Sequence, residues 1–399
     1  MEIYQPAEDS YLLQKWVRRY AFGRVLDMGT GSGIQALTAV ENPNVKEIIA
    51  VDINEHAVRH VEEQVTRQKL RKMKVLQGDL WEPVHGSFHT IIFNPPYLPQ
   101  DKDIEDKSLY GGKKGWEVIA AFFSRAAEHL FHDGAMLLLF SSLTHKEKVE
   151  EIIFHHLFEF QELERQKLAF EELYVYLVTK SGLLRELQNK GIHDMHYLAH
   201  GHRGEVFKGM MDLTQMVKKY IPKRTLVPVA IKVERKGSVA QQRLENEAKW
   251  LAQVNQKSIG PKLLLAGERY IVMEFVEGKI IEEWMNDKKC SEVLKILRSV
   301  LEQCFVLDQL HFAKEEMHHP HKHIIITPLG EPVMIDFERG HESQNPQNVT
   351  QFVEYICRLR KELAAHGFIV PVDMLRELAK RYKEQPGKET FMVFLRALG

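Results

Sequence analysis

Asn94-Pro95-Pro96-Tyr97 sets a side-chain amide, two ring-stiffened backbone units and a phenol side by side. Two prolines cannot continue a strand ladder, and they hold the backbone rigid. Alone, they read as a strand terminator beside a packed tyrosine. The second candidate is Asp27-Met28-Gly29-Thr30-Gly31-Ser32-Gly33. Glycines there permit positive φ and let a ligand approach the backbone closely, although the same residues also make a plain strand-to-helix turn. Placement brings the two together. Each follows a short apolar run, and ligands in an open parallel sheet bind beyond the carboxyl ends of the strands. Asn94 is therefore expected to face a pocket rimmed by Gly29, Gly31 and Asp52. There the Asn94 side-chain oxygen and the Pro95 carbonyl would hold the hydrogens of a planar amide or amino nitrogen. Its lone pair would then aim at an electrophilic methyl group. Such positioning contributes up to about 7–11 kcal/mol in the best-oriented model reactions. Pro96 stiffens the turn, and Tyr97 would pack on the flat face of the acceptor.

The ligand opposite can also be read. Asp52 ends a second apolar run, near the spacing of about 20 residues at which an acid meets a ribose diol. The glycine loop lacks the lysine of a phosphate-gripping loop. Asp27, at its entrance, sits poorly beside a pyrophosphate and suits a sulfonium and an ammonium. S-adenosylmethionine is thus favoured over a nicotinamide cofactor. Asp79-Leu80 follows a third run, where the acid would accept from the adenine amino group. The expected cofactor set is Asp27, Gly29, Thr30, Gly31, Gly33, Asp52, Asp79, Leu80 and Asn94.

The elements that must position these residues alternate. Strands are expected at Arg24–Met28, Glu47–Asp52, Lys74–Gln77, Thr90–Asn94, Ala135–Phe140 and Tyr174–Val178, with helices from Ile34, over Ala57–Leu70 and over Trp116–Leu130. Alternation of this kind predicts a mostly parallel, doubly wound sheet covered by helices on both faces. The pattern changes after Lys180-Ser181-Gly182. A short helix at Leu183–Lys190 precedes strand pieces near Tyr197, Glu205–Phe207 and Val229–Val233. A helix follows from Val239 to Val254, then strands at Lys262–Leu265 and Tyr270–Met273, and mainly helix from Ile281. The expected domains are 1–181 and 182–399, in line with a chain of 399 residues being too long for one core.

Composition narrows the classes. The net charge of -1 argues against polyanion binding by bulk charge. Cys290, Cys304 and Cys357 lack Cys-x-x-Cys spacing, so a disulfide framework or cysteine zinc site is not expected, and a reducing compartment is. No apolar run reaches the roughly 18 residues of a membrane span, and the N-terminus shows no signal pattern. The cytoplasm is the expected location.

From about residue 4 to 180 the chain resembles the release-factor glutamine methyltransferases of the HemK type, most of all their short archaeal and eukaryotic branch. The matching residues are Tyr4-Gln5-Pro6-Ala7-Glu8-Asp9-Ser10, the Asp27–Gly33 loop, Asp79-Leu80-Trp81-Glu82-Pro83 and Asn94-Pro95-Pro96-Tyr97-Leu98-Pro99, with Gly111-Gly112, Gly115 and Ser141-Ser142-Leu143. The resemblance implies a Rossmann-like class I methyltransferase fold and methylation of the glutamine amide in a Gly-Gly-Gln loop of a translation release factor. It also implies a small zinc-binding activator subunit covering an apolar edge. His89 departs from the family pattern, which has Asp after Phe; it is expected to precede the strand, away from catalysis. Asn-Pro-Pro-Tyr also occurs in nucleic-acid adenine-N6 methyltransferases. Those should show a basic, aromatic-lined track, and Asp101–Lys107 is mixed in charge.

The second half carries a different set. Lys232 lies on an expected strand. Glu247, or less favourably Glu245, lies on the next helix; Gly201 and Gly204 precede them, and Ile335-Asp336-Phe337-Glu338 follows an apolar strand. This order resembles an α+β protein-kinase lobe pair of the RIO-like atypical group. There the lysine holds ATP phosphates, the glutamate orients the lysine and the late aspartate binds magnesium. Met273–Gly278 would be the hinge. The His-x-Asp-x-x-x-x-Asn catalytic loop is missing, and Glu315–His323 takes its place. Should His323 replace the Asn, His318 falls at the base position, with Glu316 as a substitute. The four histidines also admit a metal, although clean zinc geometry needs ligands from more than one strip. A kinase and a non-catalytic nucleotide-binding pseudokinase both remain open.

Overall fold

The computed structural model describes residues 2–99, 110–200, 204–215, 225–234, 241–286 and 288–398. Gly201 and the stretch Asp101–Lys107 lie outside these residues. The chain divides into two compact units: Met1–Tyr197 with Met210–Leu226, and Leu198–Gly209 with Val227–Gly399.

The first unit is built on a seven-stranded sheet. Its strands are β1 (Gly23–Met28), β2 (Val45–Asp52), β3 (Met73–Gln77), β4 (Phe88–Phe93), β5 (Leu130–Ser141), β6 (Phe158–Lys167) and β7 (Glu172–Lys180), in the order β3-β2-β1-β4-β5-β7-β6. The run from β3 to β5 is parallel, while β7 is antiparallel to both β5 and β6. β1 and β4 are buried almost throughout because both faces are covered. Helices α1 (Glu8–Tyr20), α2 (Ile34–Val40), α3 (Glu55–Gln68), α4 (Glu117–His129), α5 (Lys146–His155) and α6 (Gly182–Asn189) accompany the strands. Leu13 and Val17 of α1 share one buried cluster with Val25, Ala36, Ile92 and Leu137, which ties α1 to the sheet.

Register positions the site. Met28 of β1 pairs with Val51 of β2 on one side and with Phe93 of β4 on the other. The next residues, Gly29, Asp52 and Asn94, therefore leave three adjacent parallel strands in one row. Strand order reverses at β1, which makes this row the switch point of the sheet.

The second unit is held by its own apolar cluster, from Leu244 to Leu398. Strands β8 (Ile192–His200), β9 (Gly204–Asp212), β10 (Leu226–Glu234), β11 (Leu263–Ala266) and β12 (Tyr270–Glu274) form a sheet ordered β11-β12-β10-β9-β8. Helix α7 (Gln241–Val254) follows β10, and α8 (Ile281–Met285) and α9 (Cys290–Gln309) lead into the helical remainder. Cys304 and Cys357 are buried, and all three cysteines are free thiols. Among the described residues no helix is long and apolar enough to cross a membrane.

Candidate functional site

The glycine turn is fixed by hydrogen bonds to β2. Gly29, Gly31 and Gly33 have φ of 66°, 53° and 82°. A Cβ on Gly33 would stand 2.9 Å from the Val61 side chain, whereas one on Gly29 would meet nothing within 4 Å. Gly33 is thus required by packing, while Gly29 leaves its backbone open. The Thr30 N–H donates to the Val51 carbonyl at 2.9 Å and the Gly31 N–H to Asp52 Oδ2 at 2.8 Å. Asp52 Oδ1 accepts from the Asn54 N–H at 2.8 Å. Burial pushes the Asp52 carboxyl above its ordinary pKa, against the pull of the Asn54, Gly31 and Ile53 N–H groups. Asp27 accepts from Thr30 Oγ1 at 2.6 Å and from the Ala36 N–H at 3.1 Å. Burial nevertheless lifts it to about 7, the bonds from Thr30 and Ala36 pulling the other way.

Asn94 leaves β4 with its amide held from one side. Its Nδ2 donates to Asp9 Oδ2 at 2.8 Å. Its Oδ1 is buried and has no hydrogen-bond partner. Buried polar atoms without partners are rare in folded proteins and ask for a reason. Tyr97 is half-buried; burial and the nearby Asp9, Glu171 and Tyr4 hold its hydroxyl above the ordinary phenol range, so it is no base at neutral pH. The return segment packs directly on this turn. The Gly111 N–H donates to the Leu98 carbonyl at 3.0 Å, and a Cβ on Gly111 would lie 2.2 Å from the Gly115 oxygen and 2.4 Å from the Pro96 oxygen.

One cleft of about 860 Å³ joins these groups. Asp27, Gly29, Thr30, Gly31, Asp52, Asp79, Leu80, Asn94, Pro95, Pro96 and Tyr97 all line it. Gly33 alone of the expected set is behind the wall, at the start of α2. Asp79 is exposed at the rim, and Leu80 adopts φ of 44°. The lining includes Glu2, Asp9, Asp27, Asp52, Asp79 and Glu171, and no described lining residue is Lys, Arg or His. Such a wall repels phosphate and suits a cationic ligand. The sequence reading missed Asp9, Gln35 and Glu171 as lining residues. The pairing of Asp9 with Asn94 spans 85 positions and leaves no local periodicity to read.

Comparison with known proteins places the first unit in a family. Residues 8–170 match the family model described as "Methyltransferase small domain". The provisionally named protein N5-glutamine methyltransferase of Methanocaldococcus jannaschii is 35% identical over 181 residues, covering 44% of this chain and 90% of the relative. The chain belongs to the N5-glutamine methyltransferase family. It is accordingly an S-adenosylmethionine-dependent methyltransferase, and its first unit has the class I fold. The release factor glutamine methyltransferase of Deinococcus radiodurans is 33% identical over 137 residues, which cover 32% of this chain and about half, 49%, of that enzyme. Among solved structures, the E. cuniculi Mtq2–Trm112 complex, which methylates the termination factor eRF1, aligns with 25% identity over 45% of this chain and 100% of the matched chain, with a TM-score of 0.38.

The second unit gathers its own charged residues. Lys232 Nζ lies 2.7 Å from Glu247, 3.1 Å from Asp336 and 3.0 Å from Glu338. Burial alone would lower the Lys232 pKa, and the three carboxylates outweigh it and raise it. Burial likewise opposes an ionised Asp336, but Lys232 and Lys314 hold its carboxyl below the ordinary value. The buried Lys314 donates to the Asp336 backbone carbonyl and lies 3.4 Å from Glu316. His323 Nδ1 stands 3.5 Å from Asp336 Oδ2. Gly204 opens β9 against the Val233 carbonyl, where a Cβ would come within 2.8 Å. The described residues that could share a cation are Glu247, Asp336 and Glu338, not the histidine run.

Proposed function

We propose that the first unit transfers a methyl group from S-adenosylmethionine to the side-chain amide nitrogen of a glutamine on a translation release factor. The observation that carries this reading is the buried, unpartnered Asn94 Oδ1 beside a cleft with no described basic residue in its lining. S-adenosylmethionine supplies an electrophilic methyl on a cationic sulfonium. Asp52 would take the ribose diol with its remaining lone pairs, Asp27 the cationic end, and Asp79-Leu80 the adenine edge. Asn94 Oδ1 and the Pro95 carbonyl would hold the two hydrogens of the acceptor amide, while Pro96 and Tyr97 fix the plane. The amide lone pair is delocalised, so alignment rather than a base is what it needs. The C–N bond forms as the C–S bond breaks, and the nitrogen then releases a proton to solvent.

The test is incubation of the full chain with labelled S-adenosylmethionine and a release factor bearing Gly-Gly-Gln, with and without a small zinc-binding activator of the kind the resemblance implies. Mass mapping should place the label on the glutamine. Label on transfer RNA or DNA instead would support an adenine-N6 methyltransferase, a reading that the acidic wall disfavours because nucleic acid is held mainly through its phosphates.

A second reading concerns residues 182–399, which we take as a RIO-like kinase or pseudokinase domain. It is supported by the Lys232–Glu247 pair together with Asp336. Here Lys232 would hold ATP phosphates and Asp336 magnesium. The contact of Lys314 with the Asp336 carbonyl favours Glu316 over His318 as the group beside a phosphoryl acceptor. Phosphate transfer to release factor or a test protein, lost in Asp336→Ala, would mark a kinase; nucleotide binding without transfer would mark a pseudokinase.

A further inference from the structure

The cleft holds two amides whose oxygens are buried without a partner, Asn94 Oδ1 and Gln35 Oε1. In both, the nitrogen end is tied to one short stretch of chain at the start of α1. Asn94 Nδ2 donates to Asp9 Oδ2 at 2.8 Å, and Gln35 Nε2 to the Ser10 carbonyl at 2.8 Å. A carboxylate only accepts hydrogen bonds. Turning the Asn94 amide over would set its oxygen against Asp9 Oδ2, acceptor against acceptor, and would strip that oxygen of its donor. Asp9 therefore decides which end of Asn94 is left unpaired. Asp9 is itself immobilised: it is 3% exposed, and its Oδ1 accepts from Tyr4 Oη at 3.0 Å, the Ser10 N–H at 2.6 Å and Ser10 Oγ at 3.2 Å.

We propose that Asp9 is a positioning residue for methyl transfer: acting through Asn94, it commits the amide oxygen to the cleft and so makes the site demand an N–H donor. The proposal rests on the reading of Asn94 as the group that holds the acceptor nitrogen. It also carries a consequence for specificity. An acceptor that offers only oxygen lone pairs, such as a glutamate carboxylate, meets an acceptor atom and is rejected. A site built to pair a substrate N–H discriminates strongly against an analogue lacking it.

The test compares full-length wild type with Asp9→Asn, Asp9→Ala and the reciprocal swap Asp9→Asn/Asn94→Asp. In Asp9→Asn the new amide can present its own NH2 to Asn94, which turns over and spends its oxygen. The expected result is a kcat lowered about 10- to 100-fold, with affinity for S-adenosylhomocysteine within threefold of wild type. The swap rebuilds the pair with reversed polarity and again leaves an oxygen facing the cleft, so kcat should rise at least fivefold above Asp9→Asn. A merely structural role would instead lower product affinity and kcat together. A second readout needs no acceptor. In asparagine-labelled protein the Asn94 side-chain NH2, identified by its loss in Asn94→Ala, should be shifted downfield and protected from water exchange, and Asp9→Ala should abolish both. The proposal is overturned by an Asn94 NH2 signal unmoved in Asp9→Ala, by an Asp9→Asn kcat within twofold of wild type, or by a swap no better than Asp9→Asn. Wild type that methylates no glutamine yet shows the Asp9-dependent signal refutes the acceptor reading and leaves the orienting role of Asp9 standing.

Discussion

Replacing Gly111 by alanine should cripple methyl transfer while leaving the cofactor site intact. A Cβ at this position would lie 2.2 Å from the Gly115 carbonyl oxygen and 2.4 Å from that of Pro96. Both are backbone atoms of tightly packed segments, with no flexible side-chain end to swing aside. Relief to an ordinary carbon–oxygen contact requires about 1 Å of movement, and interiors at native packing density do not absorb that locally. The Pro96 side of the contact is the Asn-Pro-Pro-Tyr turn itself, whose rigidity passes the shift to Asn94. A misplacement of about 1 Å at a positioning group can cost on the order of 100-fold in rate. Gly31 lies in the turn after β1 and Asp52 ends β2; neither touches Gly111, so S-adenosylhomocysteine affinity should stay within about threefold. Single-turnover methylation measures the rate, and calorimetry the affinity. Gly182→Ala, where a Cβ meets nothing within 4 Å, serves as the neutral control. A Gly111→Ala enzyme within threefold of the wild-type rate would refute the claim that the return segment positions the turn.

Four further outcomes follow from the structure. Lys232→Met leaves Glu247, Asp336 and Glu338 facing one another without their shared cation; breaking a buried pair costs about 3–5 kcal/mol, so chemical denaturation should show the second unit unfolding earlier and the first unchanged. Asp27 sits at about 7 in the folded chain against an ordinary 3.8, so the stability it contributes is full below the lower value and is lost as pH rises through the upper one; Asp27→Asn should flatten the stability profile between them. A cationic ligand bound near Asp27 should expel its proton, and calorimetry at pH 6.5 in buffers of different ionisation enthalpy should detect proton release that Asp27→Asn abolishes. On the kinase-like reading of the second unit, nucleotide should stabilise it thermally, and Asp336→Ala should remove that effect and leave methyl transfer untouched.

The parts legible in the sequence were those whose burial writes a continuous apolar signature. β1, β2 and β4 are covered on both faces, and the runs at 24–28, 47–52 and 90–94 announced them. The glycine loop and Asp52 were legible for the same reason, since a turn must follow a buried strand. What escaped was written differently. β6, Phe158–Lys167, is an edge strand that is exposed or half-buried beyond Phe158 and rich in Glu, Gln, Arg and Lys, so its segment reads as polar. β5 starts at Leu130 rather than Ala135, because Phe131, His132 and Asp133 are exposed and broke the apolar run. His89 was expected ahead of its strand; it lies within β4, at the end away from the cleft, and accepts from the Arg24 N–H at 3.1 Å. Helix α1 went unread although Leu13, Trp16, Val17 and Tyr20 hold helical spacing. With it went Asp9, whose partner Asn94 is fixed only by the fold.

The charge of the cleft explains why these buried acids are tolerated at all. Asp9, Asp27 and Asp52 are 3%, 2% and 9% exposed, and each is met by N–H or O–H donors rather than by a basic side chain. Hydrogen bonds from neutral donors offset part of the cost of burying a carboxylate but supply no countercharge, which is why Asp27 remains raised. On the proposed reading the countercharge would arrive with the substrate, whose sulfonium and ammonium would meet a wall with no described Lys, Arg or His. Methyl transfer then removes one of those positive charges, because the sulfonium becomes a neutral thioether. On the reading of these acids as the donor's site, they would favour the incoming methyl donor over the spent one. The same arrangement that would make a poor phosphate site would on this reading discriminate substrate from product, with no moving part needed.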